Sequence, residues 1–171
     1  VAEPWTSTFF TRNEMRDATI ADFRKSLAFI KAMGGADVVV AELGFSVHQR
    51  PVGVIPNRPI FSDAQWDVVT TGLDELGAIA ADEGMRLCYH HHMGTGIQTR
   101  ADVDRLMAST NPERVHLLLD TGHLYYSGDD PLALAKDYAS RIKHVHLKNI
   151  RRPELDAALA QHLSFKDAIL S

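Results

Sequence analysis

Three short segments of this chain place histidine and aspartate side chains at the ends of apolar stretches. They are Tyr89-His90-His91-His92-Met93-Gly94-Thr95, Leu119-Asp120-Thr121-Gly122-His123 and His144-Val145-His146-Leu147-Lys148. Because the carboxyl ends of parallel strands meet at one edge of a sheet, these segments predict a single site there. A carboxylate with neutral imidazoles is a suitable donor set for Mn²⁺, Co²⁺, Zn²⁺ or Fe²⁺. The pattern therefore predicts an enzyme with a metal ion.

The alternation of side chains along a strand narrows the set of candidate ligands. Alternate residues share a face, so His90 and His92 lie on one side of their predicted strand and His91 lies on the other. A lone buried histidine is more often structural than a ligand, and that reading holds for His91. The metal candidates are those that coincide at the ends of consecutive strands: His90, His92, Asp120, His123 and His146.

Three further charged residues lie close to these segments in the sequence or at another strand end. Glu42 ends a predicted strand, where it is a general base, a polar wall of the pocket or simply a solvated carboxylate. Lys148 shares a side with His146 and could stabilise an oxyanion or bind a hydroxyl. Arg151 begins a small basic pair, a pattern that is more often surface charge than an anion site.

Composition limits the class of protein. The 171 residues are 45% hydrophobic and 23% charged, which predicts one soluble globular domain over residues 1–171. The net charge of −4 argues against a nucleic-acid partner or an anionic membrane surface. The single cysteine, Cys88, excludes an internal disulfide framework and fits a cytoplasmic location. No apolar run approaches the roughly 20 residues of a membrane span.

Short apolar strands alternate with amphipathic helices along the whole chain. The predicted strands are residues 5–10, 38–42, 85–92, 115–120 and 142–148, and the predicted helices begin near Asp17, Ser62, Thr99 and Pro131. Thr19 is a candidate N-cap, Gln65 completes a capping box, and residues 44–61 form a long loop. Strict alternation predicts parallel βαβ units. The spacing fits an open doubly wound sheet as well as part of a barrel.

The histidine-rich segments also resemble the inosose dehydratase family. The resemblance extends through residues 89–99 and 144–151, with supporting matches at Ser7-Thr8-Phe9-Phe10, Ala32-Met33-Gly34, Asp104-Arg105-Leu106-Met107 and Ser164-Phe165. That family belongs to the xylose-isomerase-like TIM barrels, a group of divalent-metal sugar isomerases, epimerases and lyases. The resemblance implies an α/β, parallel TIM-barrel fold that is incomplete, with about five of the eight strands. It implies truncation at both ends, with two strands expected before Val1 and one after Ser171.

The resemblance also implies roles for individual residues. Asp120 and His146 would be metal ligands from the sixth and seventh strands. The fifth-strand ligand falls within residues 90–92, where many relatives have Glu, and we assign it to His92. The remaining assignments place Glu42, His123 and Lys148 in catalysis, and His90 and Arg151 in substrate binding. The expected ion is Mn²⁺ or Co²⁺, with Zn²⁺ or Fe²⁺ as alternatives.

The activity implied is that of a carbon–oxygen lyase of inositol catabolism. It would dehydrate 2-keto-myo-inositol (scyllo-inosose) to a trihydroxycyclohexane-dione, with a small cyclitol or sugar as ligand. A metal-dependent sugar isomerase or epimerase on the same barrel shares the enediolate chemistry and is the nearest alternative. A nuclease of the same superfamily is disfavoured by the net negative charge. An inactive fragment is an alternative of a different class, and the chain could also form a homo-oligomer.

Overall fold

Five parallel strands form one sheet in the order in which they occur in the chain. The computed structural model describes residues 5–170. The strands are β1 (Trp5–Thr8), β2 (Asp37–Glu42), β3 (Arg86–His90), β4 (Val115–Asp120) and β5 (Ile142–His146). Each pairs in parallel with the next, so β1 and β5 are the two edges within the described part of the chain. All five predicted strands are present, but β1, β3 and β5 each end two residues earlier than predicted. Within the described residues the sheet does not close into a barrel.

Helices between the strands pack against one face of the sheet, and two further helices follow β5. They are α1 (Arg16–Ala32), α2 (Val54–Asn57), α3 (Asp63–Asp82), α4 (Arg100–Ser109), α5 (Thr121–Tyr126), α6 (Pro131–Asp137), α7 (Arg152–Ala160) and α8 (Phe165–Leu170). A short 3₁₀ turn, Asn13–Met15, precedes α1. No helix among residues 5–170 is long and apolar enough to cross a membrane.

Capping residues set most of the helix starts that the sequence predicted. Ser62 caps α3 and Thr99 caps α4, each in a reciprocal capping box. Asp130 caps α6 with proline at its first turn. The prediction that Thr19 caps the first helix was wrong. The 3₁₀ turn starts the helix at Arg16, so Thr19 lies inside α1 and is buried.

The two faces of the sheet differ in what they pack against. Val38 and Val40 of β2 belong to the large core between the sheet and its helices. Val39 lies on the opposite face, the inner face of the incipient barrel, where it packs with Cys88 and Leu118 in a small separate cluster. This alternation decides which strand-end side chains reach the inner face.

The long connection between β2 and α3 is held in place at three points. The backbone N–H of Val47 donates to the carbonyl of Gly94 at 2.8 Å. Gly53 forms an isolated antiparallel bridge with Ser164. Arg58 makes a largely buried 2.9 Å ion pair with Asp102, the residue of α4 that completes the capping box with Thr99. The predicted loop is thus a fixed wall beside the carboxyl ends of the strands.

Candidate active site

Side chains from the ends of β3, β4 and β5 converge on one carboxylate oxygen. Nε2 of His90 lies 3.2 Å and Nδ1 of His146 lies 3.3 Å from Oδ2 of Asp120. One donor atom from each residue lies within 4.8 Å of the other two. The strand register accounts for this meeting, since Asp120 pairs directly with His146 and His90 pairs with Leu118, two residues before Asp120. The structure thus brings Asp120 and His146 together with His90.

Asp120 is buried and fully engaged. Its Oδ1 accepts a hydrogen bond from the backbone N–H of His123 at 2.9 Å, because Asp120 is also the N-cap of α5. Its Oδ2 accepts a 2.5 Å hydrogen bond from Nζ of Lys148. Burial alone would raise the pKa of Asp120. The hydrogen bond from His90, the proximity of His123 and the Lys148 ammonium outweigh burial and hold that pKa well below its usual range. The carboxylate is therefore ionised at neutral pH.

His90 is held in the neutral form that binds metals. Its burial lowers the pKa, and the hydrogen bond to Asp120 opposes that effect without reversing it. An ionised carboxylate with imidazole nitrogens from adjacent strands suits a divalent first-row ion. The donor set of His90, Asp120 and His146 therefore fits the metal that the sequence predicted.

His92 lies beside this group and faces the neighbouring pocket. Strand β3 ends at His90, so His92 no longer follows the strand's alternation. Its Nδ1 donates to the carbonyl of Met93 at 2.9 Å, which leaves Nε2 as the unprotonated nitrogen of the neutral ring. Burial lowers the pKa of His92 to about 3. His92 thus presents a hydrogen-bond acceptor on the wall of the pocket. His90, not His92, belongs to the convergent donor group.

His91 has a structural role on the other side of the chain. Its Nε2 accepts a hydrogen bond from the backbone N–H of Asp120 at 3.2 Å. The ring is fully buried, and burial lowers its pKa to about 3. This neutral histidine fixes the end of β4 relative to β3, in line with the structural reading of its sequence position.

His123 and Lys148 form a polar pair at the junction of the donor group and the pocket. Nζ of Lys148 lies 3.1 Å from Nε2 of His123. Burial lowers the pKa of His123, so its ring is neutral and accepts this hydrogen bond. Gly122 lets the segment that carries His123 approach the segment that carries Lys148, because a Cβ at position 122 would lie 2.6 Å from Cβ of Lys148.

A cavity of about 510 Å³ opens next to this pair. Its walls come from α5, the segment after β5, α7 and α8. Its lining residues are His92, Gly122, His123, Tyr126, Lys148, Asn149, Ile150, Arg151, Glu154, Leu155, Ala158, Phe165, Ala168 and Ile169. A concave pocket with an apolar wall and a few converging polar groups is typical of a small-molecule site.

Glu42 points away from the donor group. Val39 of the same strand packs on the inner face, whereas Val40 packs in the helix-side core. Because alternate residues share a face, Glu42 points to the helix side with Val40. The position of Glu42 at the end of β2 is as predicted, but its side chain does not join His90 and the other convergent residues.

The Glu42 carboxylate is occupied by its own neighbours. It is fully buried and accepts hydrogen bonds from both the backbone and the hydroxyl of Thr11, from the hydroxyl of Thr8, and from the backbone N–H groups of Phe10 and Gly44. These contacts join the loops after β1 and β2. They indicate a positioning role, and they leave little capacity for proton transfer.

Arg151 lies at the rim of the cavity. Its side chain is exposed and pairs with Glu154 at 3.4 Å. This position fits the predicted substrate contact, although the pairing also matches the alternative of ordinary surface charge.

Three aromatic rings around the histidines were not assigned to the site from the sequence. Trp5 lies 5.0 Å from His90 between ring centroids, His48 lies 5.3 Å from His92, and Phe165 lies 5.5 Å from His92. Trp5 ends up here because it starts β1 on the inner face. The signal for His48 was its place in a long loop of the functional kind.

Comparison with known families accounts for most of the chain. A family model for the xylose isomerase-like TIM barrel matches residues 9–170.

Curated relatives are more than two-fifths identical to the chain over the residues that align. It is 44% identical over 170 residues to an inosose dehydratase of Bacillus cereus, covering 99% of this chain and 57% of that protein. It is 46% identical over 166 residues to an inosose dehydratase of Lacticaseibacillus casei, covering 96% of this chain and 55% of that protein. The chain therefore spans a little more than half the length of these relatives.

Solved structures share the fold at low identity. The chain superposes on a 3-keto-D-glucoside 4-epimerase, YcjR, from E. coli with a TM-score of 0.69 at 18% identity, covering 95% of this chain and 67% of that one. It superposes on the IolI protein with a bound zinc atom with a TM-score of 0.66 at 19% identity, covering 85% of this chain and 50% of that one. At these identities the likeness shows the fold.

Proposed function

Because this chain belongs to the xylose isomerase-like TIM barrel family, we propose that its strand-end site carries out the metal-dependent dehydration of 2-keto-myo-inositol. A proton leaves the carbon beside the ketone, the hydroxyl on the next carbon leaves as water, and the resulting enol tautomerises to a trihydroxycyclohexane-dione. The identity to curated inosose dehydratases supports this substrate. The reaction is that of a hydro-lyase.

One observation carries the proposal. Oδ2 of Asp120 is shared by two imidazoles and the Lys148 ammonium, and Lys148 also lines a cavity large enough for a cyclitol. His90, Asp120 and His146 would hold the metal, with His90 taking the place that the sequence reading gave to His92. The ion, when bound, supplies Lewis-acid polarisation of the ketone, which acidifies the neighbouring C–H group. The proposed metal site lies directly beside Lys148 and His123, two of the side chains proposed to transfer protons.

Mn²⁺ or Co²⁺ is the metal we propose, with Zn²⁺ or Fe²⁺ as alternatives. The mixed set of one carboxylate and two imidazoles supports a divalent first-row ion, because imidazole suits the later ions and carboxylate suits manganese. Metal content after equilibration with each ion tests this choice independently of turnover.

Lys148, together with its hydrogen-bond partner His123, is the proposed general acid of the reaction. The Lys148 ammonium donates to Asp120 and to His123, so it holds a proton at the edge of the cavity. Delivery of that proton to the departing hydroxyl produces water. General-acid assistance of this kind typically contributes 10²–10⁴-fold.

His92 is the proposed proton acceptor in place of Glu42. Its Nε2 is unprotonated because Nδ1 is committed to the carbonyl of Met93. With a pKa of about 3 the ring stays neutral at physiological pH, so its Nε2 is available to take the substrate proton. Glu42 then acts by holding the loops after β1 and β2 in place.

The test is incubation of the chain with 2-keto-myo-inositol, with and without Mn²⁺ or Co²⁺. Mass spectrometry distinguishes dehydration, which loses one water, from isomerisation or epimerisation, which leaves the mass unchanged. Asp120→Ala should abolish both metal binding and turnover, whereas His162→Asn on the exposed surface should change neither. Unchanged metal content and turnover in Asp120→Ala would refute the metal site. Metal binding without turnover in the unaltered chain would favour the inactive-fragment alternative.

The same proposal includes a small cyclitol or sugar as the ligand, a cytoplasmic location and the option of a homo-oligomer. The apolar and polar lining of the cavity supports the ligand class.

A further inference from the structure

The ring of Phe165 covers two of the histidines at the pocket. Its centroid lies 5.5 Å from His92 and 5.5 Å from His123. We propose that Phe165 determines substrate specificity by receiving a C–H face of the cyclic substrate, an inference that rests on the proposed function and names the stereochemical class it accepts.

The position of Phe165 is fixed from both sides of its backbone. Ser164, the residue before it, bridges to Gly53 in the long loop after β2. The Ser164 hydroxyl donates to Asp167 at 2.6 Å and accepts from the Asp167 backbone N–H at 3.2 Å, which caps the start of α8. The ring is therefore presented by anchored backbone. The Tyr126 ring also packs against Phe165, with 6.0 Å between the ring centroids.

The polar and apolar side chains that line the cavity beside Phe165 come mostly from different elements. The polar wall, mainly from the strand ends and the segment after β5, is His92, His123, Lys148, Asn149, Arg151 and Glu154. The apolar wall, mainly from α7 and α8, is Tyr126, Leu155, Ala158, Phe165, Ala168 and Ile169. A ligand that fits both walls needs hydroxyl or carbonyl groups along one edge and an apolar surface along its side.

A cyclitol with all its hydroxyls equatorial has that shape. Its hydroxyls project around the ring edge, and its axial hydrogens leave both ring faces as C–H surfaces. An axial hydroxyl placed against the Phe165 ring would lose its water without gaining a hydrogen-bond partner, which costs free energy. The site should therefore favour 2-keto-myo-inositol over a keto-inositol that carries an axial hydroxyl.

The experiment measures equilibrium binding and turnover of these two epimers. Wild type, Phe165→Ala and Phe165→Leu are compared, with Leu170→Ala as a control on the same helix because Leu170 is 74% exposed and outside the cavity lining. Calorimetry gives the dissociation constants, mass spectrometry gives KM and kcat, and metal affinity with circular dichroism shows that each variant is folded.

Phe165→Ala should weaken binding of the all-equatorial substrate by about tenfold and should reduce the preference between epimers by a similar factor. Phe165→Leu should lie between wild type and Phe165→Ala, with metal affinity unchanged throughout. Equal binding of both epimers by wild type, or a Phe165→Ala variant that matches Leu170→Ala, would overturn the inference. Binding with these effects but no loss of water would support the role of Phe165 while refuting the dehydratase proposal. No binding of either epimer to wild type would refute both.

Discussion

Nζ of Lys148 lies 2.5 Å from Oδ2 of Asp120 and 3.1 Å from Nε2 of His123. One ammonium thus bridges the carboxylate of the proposed metal site and an imidazole of the substrate pocket. Because it shares Oδ2 with His90 and His146, it also competes with a metal ion for the same negative charge. The proposed acid and the proposed metal site are therefore electrostatically coupled.

Lys148→Met should separate the two roles of this ammonium. The substitution removes the proton donor, so turnover should fall by about 10²- to 10³-fold. It also removes a cation from Asp120, so metal affinity should stay the same or increase. Metal titration and steady-state kinetics check both effects. Parallel loss of metal affinity and turnover would show instead that Lys148 is needed to assemble the site.

Gly122→Ala should displace Lys148 through a steric contact. The new Cβ would lie 2.6 Å from Cβ of Lys148, well inside van der Waals contact. Turnover should drop by at least tenfold, because positioning errors of about 1 Å at a reacting group are that costly or more. The matched control is the same substitution in a Lys148→Gly background, where there is no side chain to displace. An equal loss in both backgrounds would rule out this contact as the cause.

Glu42→Gln tests whether Glu42 positions loops or transfers protons. The substitution leaves some of the donors from Thr8, Thr11, Phe10 and Gly44 without an ionised acceptor. The free energy of unfolding should decrease by about 1–3 kcal/mol, as expected for an unsatisfied buried hydrogen bond. Denaturant unfolding measures this loss, and metal affinity should stay unchanged. Full stability with turnover abolished would return Glu42 to the role of general base.

Burial of neutral histidines, of which His91 and His92 are two, should make the fold sensitive to acid. Burial lowers the pKa values of His91 and His92 to about 3, whereas in the unfolded chain they titrate at about 6.5. Between these values the unfolded state binds more protons, so stability falls as the pH falls. Each histidine contributes a slope of about 1.4 kcal/mol per pH unit. At neutral pH and above, this penalty is absent.

His91→Gln is the variant that isolates one of these protons. Unfolding of metal-free protein between pH 7 and pH 5 should lose about 2 kcal/mol less in this variant than in wild type. His162→Asn removes an exposed histidine and should keep the wild-type pH dependence. An identical pH dependence in all three proteins would mean that His91 takes up its proton over the same pH range in the folded state as in the unfolded chain.

Local sequence patterns predicted the sheet because strand ends and helix starts depend on neighbouring residues. Val115–Asp120 was placed correctly, and Ser62 and Thr99 cap their helices as their sequence spacing indicated. Thr19 was misplaced because the 3₁₀ turn before Arg16 starts the helix earlier. Helix α5 was not anticipated, because its N-cap, Asp120, had already been assigned to the end of a strand.

The candidate site was predicted in outline, and its side-chain directions were not. Alternation placed His90 and His92 on one side, but the strand ends at His90 and releases His92 toward the pocket. The direction of Glu42 requires knowing which face of β2 the helices cover. The approach of Phe165 to His92 depends on a bridge between residues 53 and 164, far apart in the chain.

Asp120 restricts what mutation can do at this site. Its two oxygens start helix α5, meet two imidazoles and receive the Lys148 ammonium. Replacement of Asp120 by a residue that cannot cap a helix disturbs the start of α5 and the donor group together. Screens that reward stability alone should therefore keep a helix-capping side chain, such as aspartate or asparagine, at position 120. One residue, Asp120, thus serves both the local fold and the proposed metal site.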